Sequence, residues 1–346
     1  MRTKIVAAIL CVLAALGLIN VGQSIANRFL VHEYNHEHRH EHTSVHSYSY
    51  AQAETRTTTY VSTGDEVVVD QRFQVRDGGT LELSIGHADV NVETTGDGVA
   101  TVRVTLSGRD LEVAREYFES LNFQARQDGN RIVVKTEPSR RNWNWRSNGG
   151  AEIDVHVVVP RRFNAEVSVA HGDLELGDLV GNLDVRSAHG DALVGSVDGD
   201  RVDITMAHGD LELGAVKANK VQFRTAHGDM TTGPVSAQEL GLKAAHGDVD
   251  LDVRSGGTLE IVNTHGEINL TLGSSIGGSI RNSHGDIDID APDNLAANVE
   301  FHGDRIRLNS SYTFEGSQSK SRMEGRLNGG GPTLKAHTSF GSIAIN

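Results

Sequence analysis

His171-Gly172-Asp173, His189-Gly190-Asp191, His208-Gly209-Asp210, His227-Gly228-Asp229, His246-Gly247-Asp248, His265-Gly266-Glu267 and His284-Gly285-Asp286 repeat one tripeptide along the second half of the chain, and His302-Gly303-Asp304 adds an eighth copy. Successive histidines are 18, 19, 19, 19, 19, 19 and 18 residues apart. Only the copy at His265 departs from Asp in the third position. A fixed period of about 20 residues marks a solenoid, in which each unit stacks on its two neighbours.

The positions two, four and six residues before each histidine are mostly apolar. They are Met206, Ile204 and Val202 before His208, Thr225, Phe223 and Val221 before His227, and Ser187, Val185 and Leu183 before His189. The residues between them, such as Asp203, Arg186, Gln222 and Arg224, are polar. Alternation of this kind describes a strand with one buried face. A second short alternating run follows the acidic residue, as in Leu174-Glu175-Leu176, Leu211-Glu212-Leu213 and Ile287-Asp288-Ile289, and glycines such as Gly177, Gly195, Gly214 and Gly233 close it. Each repeat therefore reads as strand, corner, strand, second corner and return. The fold class is all-β: a parallel β-solenoid, or β-helix, of about 19 residues per coil, with coils stacked about 4.8 Å apart.

Parity explains the tripeptide. Histidine continues the inward series, and the next inward residue comes three positions later, so the chain turns there. Glycine supplies backbone angles that a Cβ opposes, and the acidic side chain accepts from amides at the turn. On this reading the histidines face inward in one column and the carboxylates face water in another. Two outlying fragments fit the same frame. Leu81, Leu83 and Ile85 precede His87-Ala88-Asp89, and Leu334, Ala336 and Thr338 precede Phe340-Gly341-Ser342, where Phe340 takes the histidine slot and Ser342 the acidic slot.

With the run Glu152-Ile153-Asp154-Val155-His156-Val157-Val158-Val159-Pro160, the repeated Gly-Asp-hydrophobic-x-hydrophobic units and the closing Gly341-Ser342-Ile343-Ala344-Ile345, the chain resembles the bacterial putative-adhesin family of envelope proteins built from β-strand repeats, a domain of unknown function. The resemblance covers roughly residues 65–346. It implies a β-solenoid and an adhesive role, and assigns no residue a chemical task. Histidine before the glycine departs from the small polar residue usual in that family.

The chain has 346 residues, of which 5% are aromatic and 38 are glycine, which suits a thin aliphatic core. Met1-Arg2-Thr3-Lys4 followed by an apolar run from Ile5 to Val21 and by Ser24-Ile25-Ala26 reads as a signal peptide or N-terminal anchor over 1–26, with cleavage after Ala26. An uncleaved run would contact the membrane through this segment alone. Cys11 is the single cysteine and lies inside the run, so a processed chain has no thiol chemistry. Export to the periplasm or cell surface of a bacterium follows. A formal charge of −14 argues against nucleic acid as a partner, leaving an envelope protein or a glycan.

Residues 27–64 read as a histidine-rich disordered linker. His32, His36, His38, His40, His42 and His46 alternate with carboxylates and are candidate ligands for Zn²⁺ or Cu²⁺; the alternative is a solvated linker of biased composition. No other cofactor is implied. Residues 65–165 read as irregular coils with an inserted helix, and 166–346 as the regular solenoid with a C-terminal cap. In the helix, Asp110 caps the start and Leu111, Ala114, Phe118 and Leu121 share the buried face, shielding a strand edge. The polar loop bearing Trp143, Trp145 and Arg146 could stack on a sugar or contact a partner protein; the alternative is that its rings fold back on the flank of the solenoid.

Histidine beside carboxylate serves general acid–base work or metal ligation in many proteins. Catalysis needs one distinguished constellation, however, and a motif repeated without distinction points to structure. The chain lacks a nucleophile elbow, a phosphate loop and a HExxH signature. Two readings result: a non-enzymatic envelope surface for binding or scaffolding, and an envelope metal-binding protein using the histidine tract, with or without the column.

Overall fold

The computed structural model describes residues 60–61, 65–96, 98–137 and 151–346. The leader, the histidine tract His32–His46 and the loop of Trp143, Trp145 and Arg146 lie outside the described residues. The described strands join one 28-stranded sheet, with one helix among them.

The repeat forms parallel ladders. Leu183 pairs with Val202, Val185 with Ile204 and His189 with His208. The same register carries His208 to His227, His227 to His246, His246 to His265 and His265 to His284. The run after the corner stacks likewise, from Leu174 through Ala192, Leu211, Met230, Val249 and Ile268 to Ile287. A third short run stacks Leu179, Val197, Val216 and Val235. Each layer thus contributes three sets of inward side chains to one continuous core, which includes Phe163 and Phe223 at 1% exposure. Two layers bend instead of breaking: Met230–His246 and Val249–His265 are each one strand of 17 residues, with the register slipping near Pro234.

Both ends are assembled out of chain order. The layer of Gly79–His87 and Asp89–Thr95 is regular, with Leu81 opposite Ala165 and His87 opposite His171. On its other side lie Arg131–Lys135 and Glu152–Pro160, so the chain builds an outer layer before returning to begin the repeats. Antiparallel strands close that end: Val99–Ser107 pairs with both Glu152–Pro160 and Asp65–Gln74, and Gln124–Asp128 pairs with Arg131–Lys135. At the other end Thr333–Phe340 slides between Gly277–His284 and Ala297–His302, which itself pairs with Arg322–Leu327 of a hairpin. The eighth copy of the tripeptide therefore stands outside the column. His302 belongs to an outer layer and pairs with His337, while Phe340 occupies the place next to His284.

The helix runs from Leu111 to Ser120, and Asp110 caps it by accepting from the amides of Glu112 and Val113. Its buried residues are Ala114, Tyr117 and, just beyond, Leu121, whereas Leu111 and Phe118 are only partly covered. Arg115 Nε donates to Glu66 Oε2 at 2.5 Å, and Glu66 is 2% exposed, so an ion pair fixes the helix on the strand Asp65–Gln74. Edge protection at this end falls to the antiparallel strands.

Candidate functional site: the histidine ladder

The corner glycines adopt left-handed angles, with φ between 120° and 129° at Gly172, Gly190, Gly209, Gly228, Gly247, Gly266 and Gly285. A Cβ on Gly209 would lie 2.0 Å from the Gly190 carbonyl oxygen, so the layers also approach too closely for any side chain there. The Gly209 amide donates to the His227 carbonyl at 3.1 Å. The acidic residue also ties layers together, but its amide donates back to the layer before. Asp191 N–H donates to Asp173 Oδ1 at 3.0 Å, Asp210 N–H to Asp191 Oδ1 at 3.0 Å, Asp229 N–H to Asp210 Oδ1 at 2.8 Å and Asp248 N–H to Asp229 Oδ1 at 2.9 Å. The series extends back to Asp89 and forward to the Glu267 amide on Asp248, and at the far end Ser342 N–H donates to Asp286 Oδ1 in the same way. The sequence reading placed these bonds within one turn; the structure places them between successive layers.

The histidines form a stack. Ring centroids are 4.4 Å apart from His87 to His171, then 4.7 to 4.9 Å apart through His189, His208, His227, His246, His265 and His284. Phe340 continues the stack at 4.8 Å, as its place in the sequence suggested. The rings do not face inward. His189, His208 and His227 are half-buried and the rest exposed, because the extra residue of the turn swings the side chain out to the rim of the corner.

Burial, followed by repulsion from His189 and His227, holds the His208 imidazole below its usual pKa. Desolvation acts first also at His227, with His246 adding, and at His87 and at His171, with His87 and His189 adding at the latter, although these two rings keep an exposed edge at the rim. Burial raises Asp210, against the lowering effect of the bond it accepts from the Asp229 amide. The ladder separates two strips. Three residues before it stand Arg186, Thr205, Arg224, Lys243, Val262 and Arg281, with Arg186 paired to Asp184 at 2.8 Å and Arg224 to Asp203 at 2.8 Å. On the far side the corner carboxylates are followed by Glu175, Glu212, Asp250 and Asp288.

Parallel stacking decides what the ladder can do chemically. Two nitrogens sharing one Zn²⁺ are at most about 4.2 Å apart and point toward it. Adjacent rings repeat at 4.7 to 4.9 Å within 13° of parallel, so their in-plane lone pairs run side by side. The column as stacked does not converge on a metal.

Sequence reasoning missed a set of buried polar residues behind the corner. Asn263 Nδ2 donates to the Gly247 carbonyl at 3.2 Å, Asn282 Nδ2 to the Gly266 carbonyl at 2.7 Å and Thr338 Oγ1 to the Gly285 carbonyl at 3.0 Å. The signal was the change from Val169 and Met206 to Asn263 and Asn282 two residues before the histidine.

The sequence matches the family described as Toastrack DUF4097 over residues 79–346. It matches none of the curated proteins. Among solved structures, a "putative adhesin" from Parabacteroides distasonis is similar at 12% identity and a TM-score of 0.43, covering 80% of this chain and 96% of that one. A "putative adhesin" from Parabacteroides merdae has 11% identity and a TM-score of 0.43, covering 80% and 95%. A "putative lipid binding protein" from Parabacteroides distasonis has 14% identity and a TM-score of 0.38, covering 80% and 96%. None of these names is that of an enzyme.

Proposed function

We infer that this chain, which belongs to the Toastrack DUF4097 family, is a parallel β-solenoid of about 19 residues per coil that serves the cell envelope as a non-enzymatic, adhesin-like surface for binding or scaffolding. One observation carries the reading. The groups that could do chemistry hold the stack together: Asp Oδ1 atoms receive the next layer's amide, and the rings lie face to face. A catalytic carboxylate or imidazole keeps its reactive atom for a substrate in a single pocket. Here the same arrangement recurs in layer after layer, which suits an extended, regular surface.

Protease shaving of intact cells, with a periplasmic protein as control, tests the reading. Loss of the protein from intact cells places it outside; protection that ends when the outer membrane is opened places it in the periplasm. A full-length protein recovered from the cytoplasm overturns the envelope assignment.

The histidine density of residues 32–46 favours a second reading, metal capture by the tract independently of the solenoid. A peptide covering residues 31–46 is expected to bind Zn²⁺ or Cu²⁺ in calorimetry at neutral pH and to lose affinity near pH 5, as protons compete for imidazole. A peptide that binds neither ion at neutral pH removes this reading.

A further inference from the structure

The outer layer at the C-terminal end cuts the corner. Between the last repeat and the inserted strand the corner matches step for step, His284 facing Phe340 and Ile287 facing Ile343. In the outer layer His302 pairs with His337 but Arg305 pairs with Ser342, so three steps of chain span what five span beneath. The shortened path hugs Thr338 and Gly341. A Cβ on Gly303 would lie 2.9 Å from Thr338 Cγ2, and Asp304 N–H donates to the Gly341 carbonyl at 2.8 Å. His302, in the eighth copy of the tripeptide, stands edge-on to His337 at 6.2 Å. The stack therefore ends on Phe340, which has His284 on one face and is 63% exposed. No other large hydrophobic side chain among the described residues is exposed.

We propose that the outer face of Phe340 is a docking platform for a pyranose of gluco configuration, the end unit of a glycan, seated where the next ring of the ladder would stack. This rests on the reading of the chain as a binding surface and names the chemistry of what it binds. A ring already lies against the inner face at 4.8 Å, so the site is built for a flat partner at that spacing. A pyranose with equatorial substituents shows only C–H bonds on each face and carries its hydroxyls around the rim. The C–H groups are drawn to the negative face of an aromatic ring, and the rim needs hydrogen-bonding partners. Asp304, whose amide donates to the Gly341 carbonyl next to Phe340, Arg305, which pairs with Ser342, and Ser339 are all exposed and would offer acceptor, donor and hydroxyl. A second copy stacking Phe340 on Phe340 fits less well, since one side chain offers far less than the roughly 800 Å² per partner of a stable interface.

Saturation-transfer NMR on the whole protein, with methyl β-glucopyranoside and N-acetylglucosamine as probes and open-chain sorbitol as control, tests the proposal. The expected result is transfer to the axial C–H protons of both sugars at about millimolar concentration, and none to sorbitol. Phe340→Ser should weaken binding about tenfold or more and Phe340→Tyr should keep it, with unchanged melting curves showing intact folds. Asp304→Asn, which leaves the ladder untouched, should weaken binding by a smaller factor. Absent transfer, transfer unaffected by Phe340→Ser, or Phe340-dependent self-association in sedimentation each overturns it. Binding of the full chain to isolated envelopes separates the two levels: envelope binding that survives Phe340→Ser, with no sugar signal, rejects the platform and leaves the surface reading standing.

Discussion

Gly209→Val is expected to lower unfolding stability by about 3–5 kcal/mol, whereas His208→Asn costs about 1–2 kcal/mol. Two independent penalties meet at Gly209. Its φ of 120° is one that a β-branched residue resists. In addition, the new Cβ would sit 2.0 Å from the Gly190 carbonyl oxygen, and the nearest atoms are backbone, which cannot turn aside. Relief would require separating two layers, which stretches the neighbouring bonds from Gly190 to His208 and from Asp210 to Asp191. His208 is half-buried and holds its place by stacking against His189 and His227, so asparagine forfeits ring contacts while leaving the backbone unstrained. Denaturant melts of both variants decide the matter, with hydrogen exchange added because a repeat array can open locally. Equal losses, or a larger loss for His208→Asn, would show that the corner does not depend on close glycine contact.

Stability is expected to fall on acidification through the histidine range. His87, His171, His208 and His227 all have folded-state values below the ordinary one, chiefly through burial. For an imidazole depressed in the folded state, the unfolded chain takes up more protons as pH drops. The stabilisation is fully present above the unfolded value of about 6.5 and is lost as pH falls through it toward the folded values. Carboxylates act with the opposite sign and in a lower window. Asp210 is raised by burial and by Asp191 and Asp229, and Asp154 by burial and by Asp89, Glu152 and Asp65, so their protonation favours the folded state nearer pH 4. Denaturant melts from pH 8 to pH 4.5 on the wild type and on His171→Asn/His208→Asn/His227→Asn measure the effect, and the difference between the curves cancels the histidines of residues 32–46. The wild-type curve should decline below pH 7 and the variant curve should be flatter. A wild type that gains stability between pH 7.5 and pH 6 would mean that the corner carboxylates, and not burial, set the imidazole charge.

The architecture was legible because the repeat writes it many times over. Alternation before His208 and after Asp210 located two strands of each layer, and the period supplied the pairing of His189 with His208 and of His208 with His227. The slot logic found His87 and Phe340 as members of the column, although long excursions of chain separate them from the regular copies. Asp110 was recognisable as a cap because its effect is local to the first turn of the helix.

Other features depended on contacts that no local pattern encodes. The tripeptide recurs at His302, but register at the end of the stack is set by which strand fills the slot beside Gly277–His284, and Thr333–Phe340 fills it. Parity put the histidines inside, yet a turn with a residue to spare rotates the side chain to the rim, and only the folded corner fixes that angle. Tyr117 displaced Leu111 on the buried face of the helix because the helix docks through Arg115 and Glu66, a pair 49 residues apart. The sequence alone determined the period, the strands and the glycine corner, because these recur at short range. The tertiary structure decided which layer ends each stack, which way the rings point and why the outer face of Phe340 is bare, because those outcomes depend on register between segments distant in the chain.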